Sequence, residues 1–331
     1  MRALYFIVSI ALIASCGGDG DSKVARWQKV SELRPSSLLA AWAESPDNVW
    51  IVGGREGTGG APVVWHYDGS AWTRHDTGLL NVDLWQVFGF GDTVFFGGSN
   101  GTILRYRDGN FTKLTTPAAD IVFGLWGTSA TDVWAVGGQF SGRAFVWRYQ
   151  GTDFTAVAGV PTELDTGGAV WKVTGRGAND VWMSASRGLV LHWDGQVLSS
   201  ERIGATGETL FSIGCSSTVC VAAGSNTANG VLYENAGSGW VSAAPTADGP
   251  IWRGVTPVGE HQYVVGQFGA VLRRDAAGWK SDTPGLTDET LHAAWSDADG
   301  NLFAVGGKFD RPLTIDGVLL FKGATVLSAL P

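Results

Sequence analysis

Val122 to Phe154 reads VFGLWGTSATDVWAVGGQFSGRAFVWRYQGTDF, and the chain restates this sentence seven times between Leu38 and Pro331. Anchored on the last bulky position of the first apolar segment, the copies fall at Trp42, Phe88, Trp126, Thr174, Gly214, Val255 and Trp295, about 42 residues apart. That is the period of a four-stranded propeller blade. Three residues before each anchor, a second column holds Leu39, Trp85, Phe123, Trp171, Phe211, Trp252 and His292. The next segments, among them NVWIVGG, DVWAVGG and NLFAVGG, end in glycines as strands entering tight loops do. HYDGSAW and LHWDGQV place Asp-Gly between apolar runs, a hairpin signature. No stretch reads as a capped amphipathic helix of ordinary length. One small sheet cannot cover both of its faces, so neighbouring copies must cover each other around a ring. The expectation is an all-β fold, a seven-bladed β-propeller of four-stranded antiparallel blades, with the aromatic columns filling the wedges between blades. Two segments compete to close the ring: RWQKVSELRPSSLL around Trp27, and the carboxy-terminal ATVLSALP. Either supplies the outermost strand of the last blade, or both add to it.

The amino terminus speaks to location. Arg2 precedes an almost wholly apolar run from Ala3 to Ala14, too short for a comfortable membrane span and of the form of a signal peptide. Ile13-Ala14-Ser15-Cys16 resembles a bacterial lipobox, in which the cysteine is acylated and becomes the mature terminus. The chain then divides into a signal peptide (1–15), a lipidated Cys16 with a flexible tether (16–25) and the propeller (26–331). An ordinary secretory signal cleaved elsewhere is the alternative. Gly17 after the cysteine carries no inner-membrane retention signal of the enterobacterial kind, which favours the outer membrane. Cys215 and Cys220, in IGCSSTVCVAAG, flank the first turn of the fifth copy, with Cys220 in the column of Trp50, Trp134 and Trp182. Residues on facing hairpin strands are near enough for a disulfide in an oxidising compartment.

Much chemistry is excluded. The net charge of −8 comes without a basic stripe, so nucleic acid is not an expected partner. GGREGTGG and GRGAND sit between strands with no helix following, so neither offers a helix terminus to a phosphate. Asp297 to Asn301 has the start of a calcium loop, but Lys308 stands where an EF-hand needs Glu. No Ser-His-Asp arrangement can be inferred from the repeated strands, and no cofactor or metal is expected. His66 and His192 share a column with Arg148 and Arg273, read as a solvated strand face.

Candidate binding residues lie where the copies differ. The loops between second and third strands begin with Arg55, Asn100, Gln139-Phe140, Arg187, Asn226, Gln267-Phe268 and Lys308-Phe309, a candidate binding mouth for a protein or glycan. The competing reading tucks those phenylalanines between blades. Gln86, Lys172, Ser212 and Arg253 are candidate channel residues, or polar groups satisfied there by water.

With DVWAVGG, HYDGSAW and VWRYQGTDF in view, the mature chain resembles the propeller lipoproteins and secreted repeat proteins of environmental bacteria. The diglycine followed by an aromatic and then Trp, as in Gly53-Gly54, Tyr67 and Trp72, is similar to kelch repeats, with a shorter aromatic-to-Trp spacing. DGSAW lacks the spacing of a sialidase Asp box. The lipobox, the rigid repeat and the lack of a catalytic set lead to the expectation of a lipid-anchored envelope module that binds or scaffolds a protein or glycan partner. A propeller glycoside hydrolase or lyase acting on extracellular polysaccharide is the alternative, and requires converging carboxylates. The anchor is tested by Cys16→Ser, which is expected to release the protein from the membrane fraction. Unchanged membrane association of that variant rules the anchor out.

Overall fold

The repeats fold as seven four-stranded antiparallel sheets in a computed structural model that describes residues 25–139, 142–246, 248–256, 262–310 and 313–331. Cys16 and the rest of the leader and tether up to residue 24 lie outside the described residues. Each sheet is one blade, and six of the seven carry their strands in chain order from the axis outwards, as in Ile121–Ser129, Asp132–Gly138, Phe145–Tyr149 and Phe154–Ala156 of blade 3. No described helix is long and apolar enough to cross a membrane.

Blade 7 settles which terminus closes the ring. Its strands Leu291–Ser296, Leu302–Asp310 and Leu313–Gly323 are completed on the outside by the first strand of the chain, Arg26–Arg34, which pairs antiparallel with the third. The amino-terminal segment thus covers an edge that would otherwise be open to pairing with another chain. The carboxy-terminal ATVLSALP is not a strand. It packs along the closing strand instead, with the Leu327 amide donating to Gln28 Oε1 at 3.2 Å and the Trp72 indole donating to the Ser328 carbonyl at 3.1 Å. Leu327 and Leu330 are buried in the hydrophobic cluster that joins blades 7, 1 and 2.

Every inner strand carries the same irregularity. Two of its residues face one residue of the second strand, a β-bulge, between Leu38 and Ala40, Leu84 and Gln86, Val122 and Gly124, Val170 and Lys172, Leu210 and Ser212, Trp252 and Gly254, and Leu291 and Ala293. The repeated glycines follow from it. In six blades the second-strand partner is a glycine against which the chain entering the inner strand is pressed. A Cβ on Gly137 would lie 1.9 Å from the Ile121 carbonyl oxygen, and one on Gly224 1.9 Å from that of Thr209. The diglycines are sites of close backbone approach, not phosphate loops.

The shared register corrects two alignments. Val255 pairs with Val264, so Thr256, opposite Tyr263, takes the anchor position in blade 6 and Arg253, not Trp252, is the bulged residue. Gly214 pairs with Val221, so Val221 occupies the column of Trp50, Trp134 and Trp182, and Cys220 stands one place earlier among the valines. The second-strand aromatic column does fill the wedges: Trp50 packs on Phe96 and Tyr106 of blade 2, and Trp134 on Trp193 of blade 4. Trp126 does the same from the inner strand, its ring so close to blade 4 that a Cβ on Gly175 would sit 2.6 Å from it. The histidine column is not a solvated face. His66 stacks on Trp50 with ring centroids 4.2 Å apart, and His192 on Trp182 at 3.9 Å. Each ring is held by the acid or amide that starts the second strand, Asn48 at 2.9 Å and Asp180 at 2.8 Å, while Arg148 sits over Trp134 and pairs with Asp132 in the same way.

Cys215 and Cys220 are directly opposite on the first hairpin of blade 5 and are joined by a disulfide. Closing so short a loop restricts the unfolded chain, so the double variant Cys215→Ala/Cys220→Ala is expected to lose about 2 kcal/mol of unfolding free energy. Chemical denaturation under oxidising conditions, with and without reductant, measures it, and wild type should fall towards the variant once reduced.

Candidate functional site

A bulge moves one side chain out of the alternation of its strand, and here all seven movements point the same way. Leu39, Trp85, Phe123, Trp171, Phe211, Arg253 and His292 line one end of the central channel together with Lys172, around an open-mouthed chamber of about 80 Å³. This end lies at the face that carries the loops between second and third strands, since the Trp85 indole donates to Ser99 Oγ at 3.3 Å and that of Trp171 to Ser186 Oγ at 3.1 Å. The column expected to fill wedges is therefore the channel lining. The pattern LWQ, VFG, VWK, LFS, WRG, LHA was its signal: a core residue, then any bulky group, then a small or polar one, which breaks strand alternation.

Four of these rings form an unbroken arc. Trp85 meets Phe123 edge-on at 5.2 Å, Phe123 stacks on Trp171 at 4.6 Å, and Trp171 meets Phe211 edge-on at 5.3 Å. The Arg253 guanidinium continues the arc, 4.1 Å above the Phe211 ring centroid. His292 follows, its Nε2–H donating to the Gly307 carbonyl at 2.9 Å.

Below the arc Lys172 crosses the channel from blade 4 towards blade 2. Its ammonium donates to Gln86 Oε1 and, at 3.0 Å, to the carbonyl of the bulged Phe123. Lys172 and His292 border both the upper chamber and a larger one of about 320 Å³ beyond, whose walls include Trp42, Phe88, Trp126, Thr174 and Trp295. Ser212 lines the larger chamber and is already engaged, its Oγ accepting from the Val255 amide at 3.0 Å. The four candidate channel residues thus share one channel: Gln86, Lys172 and Ser212 border the larger chamber, and Arg253 the upper.

The electrostatics are one-sided. Among the described residues no Asp or Glu borders either chamber, although the chain as a whole carries −8. Desolvation pushes the Lys172 ammonium down to about 7 and lowers Arg253 as well. His292 is pushed down to about 4, first by burial and then by the positive Arg253 and Lys172, against the Gly307 carbonyl which favours its proton.

The described loop residues occupy the same face and are not among the residues bordering either chamber. Arg55 pairs with Asp83 at 2.8 Å, tying blade 1 to the strand entering blade 2. Gln139 donates to Asp120, Arg187 to the Thr166 carbonyl at 3.1 Å, and Gln267 accepts from the Ile251 amide at 3.3 Å. Asn226 caps its own turn through the Asn229 amide at 2.9 Å, and Asn100 takes the left-handed conformation of a tight turn. Lys308 pairs with Asp316 at 2.7 Å and Glu289 at 3.5 Å, which raises its pKa. Phe268 is 70% exposed rather than tucked between blades. Phe140 lies outside the described residues, and of Phe309 only the backbone pairing with Thr314 is described. No group of three or more metal-ligating side chains occurs among the described residues.

No family model matches the chain, and no curated protein shows significant sequence similarity to it. Solved structures share the fold. YCF48 bound to a D1 peptide superposes with a TM-score of 0.65 at 14% identity, over 91% of this chain and 97% of that one. YCF48 from Cyanidioschyzon merolae gives 0.64 at 17% identity over 89% and 98%, and the WD40 domain of Neurospora crassa Pan2 gives 0.61 at 11% over 92% and 98%. At these identities the likeness establishes the seven-bladed propeller.

His292 has a measurable signature. Its imidazole is neutral in the folded protein down to about pH 4 but takes up a proton near 6.5 when unfolded, so unfolding binds a proton between those values. Stability should therefore fall as pH drops from 6.5 towards 4 and level off below. His292→Asn is expected to flatten that part of the pH dependence, and the His292 ring resonances of wild type should titrate with a midpoint near 4.

Proposed function

We propose that this protein is a binding or scaffolding module that holds a segment of a protein partner on the channel face of its ring, tethered to the cell envelope through a lipid on Cys16. The arc of Trp85, Phe123, Trp171 and Phe211 around one mouth carries the reading: such aromatic groups are the side chains that dominate protein interfaces, and here they form a preshaped, partly buried cleft. The seven sheets pack into one closed ring, so the cleft needs no ordering when a partner arrives. The YCF48 propeller seen with a D1 peptide supports the same use of the fold. The lipobox resemblance supports the envelope placement, and the disulfide is at home in an oxidising compartment. Glycoside cleavage has less support. It needs two carboxylates about 5–10 Å apart at the cleavage point, and the chambers are bordered by none among the described residues.

The test is crosslinking in intact cells with the lipidated protein as bait, followed by pull-down, with Trp171→Ala beside wild type. A protein crosslinked by wild type and lost from the variant is the expected result. A polysaccharide in its place would transfer the site to a glycan, and equal recovery from both baits would remove the channel face from the interaction.

A further inference from the structure

The channel concentrates positive charge that nothing in it neutralises. Among the described residues neither Lys172 nor Arg253 has an acidic partner, whereas Arg55, Arg148, Arg274 and Lys322, which stand between or within blades, each have one. Arg253 is held in place by stacking on Phe211, and its buried Nε has no hydrogen-bond partner among the described residues. A buried cation without a counter-ion is costly for folding alone. Low-dielectric walls further focus its field on the channel mouth.

We infer that the upper chamber is a binding site for a small organic monoanion with a flat apolar body, an arene carboxylate in chemical class. The carboxylate would meet the Arg253 guanidinium, which borders the chamber and whose planar fork suits two oxygens. The flat body would lie among the aromatic side chains that line the chamber, where burying its apolar surface is favourable. Lys172 closes the chamber from below and adds a second positive charge while it keeps its proton. A single fork and a lysine that titrates near neutrality match one negative charge better than the two of phosphate. This goes further than the partner reading but rests on the same face as the binding face.

Benzoate is the probe, measured against the whole folded chain by calorimetry and tryptophan fluorescence, with neutral benzamide and inorganic phosphate in parallel. Saturable one-to-one binding of benzoate is expected, with benzamide and phosphate each weaker by about tenfold or more. Arg253→Gln should weaken benzoate by a similar factor of about ten. The same variant is expected to unfold at the same or a higher temperature, because it removes an uncompensated charge; a residue serving only to hold Phe211 would give a lower one. Affinity should decline as pH rises through about 7, where Lys172 loses its proton, and Lys172→Met should abolish that decline. The inference is overturned by no saturable binding up to about 10 mM, a concentration at which even a weak specific site would be filled. It is equally overturned by benzamide or phosphate binding as tightly as benzoate, or by unchanged affinity in Arg253→Gln. Benzoate binding alongside a failed pull-down would uphold this site and remove the protein partner, and the reverse pair of results would do the opposite.

Discussion

One inserted residue in each inner strand governs this propeller. The bulge turns a side chain from the sheet face to the ring axis, and by bringing the entering chain across the second strand it dictates glycine at the partner position in six blades. It also separates two jobs that the repeat, read as sequence alone, gives to one kind of residue. Second-strand aromatics such as Trp134 stay in the sheet and seal the wedge to the next blade, while bulged aromatics such as Trp171 leave it and build the mouth.

The wedges and the channel manage charge in opposite ways. Between blades, several charged groups arrive with partners: Arg148 is stacked on Trp134 and bonded to Asp132, and the Glu234 carboxylate receives both Arg274 and the Trp279 indole. These half-buried pairs are supported by geometry and by the rings they cover. In the channel, Lys172 leans on neutral acceptors and Arg253 on the face of a ring. Among the described residues these two channel cations have no acidic partner, and that contrast with the paired cations between blades is what the inferred anion site rests on.

Much of the fold was legible because hydrophobic period and turn chemistry are local. The Asp-Gly hairpins, the strands ending in glycine and the facing cysteines all follow from contacts between neighbours in sequence. The site was legible in fragments. Gln86, Lys172, Ser212 and Arg253 stood out as polar groups on inner strands, yet Trp171 and His292 were hidden because a bulge breaks strand alternation and an aromatic in a repeat reads equally as core. Blade 6 misled for the same reason: Trp252 has the look of its column, but only the pairing of Val255 with Val264 shows that it is the buried residue before the bulge. The loop residues were visible and lie on the expected face. Their side-chain partners, such as Asp83 for Arg55, were not, since each comes from the connection to the next blade.

By itself the sequence determined the number of blades, the strands of the first six and the pairing of Cys215 with Cys220, because each of these depends on residues less than one repeat apart. The tertiary structure decided what depends on closing the ring. It chose Arg26–Arg34 over the carboxy-terminal segment as the last strand, since only one chain can occupy the outer edge of blade 7 while the other packs against Trp72. It also gathered Lys172, Arg253 and His292 from three separate blades around one chamber, since a closed ring makes neighbours at its axis of residues that the chain keeps far apart.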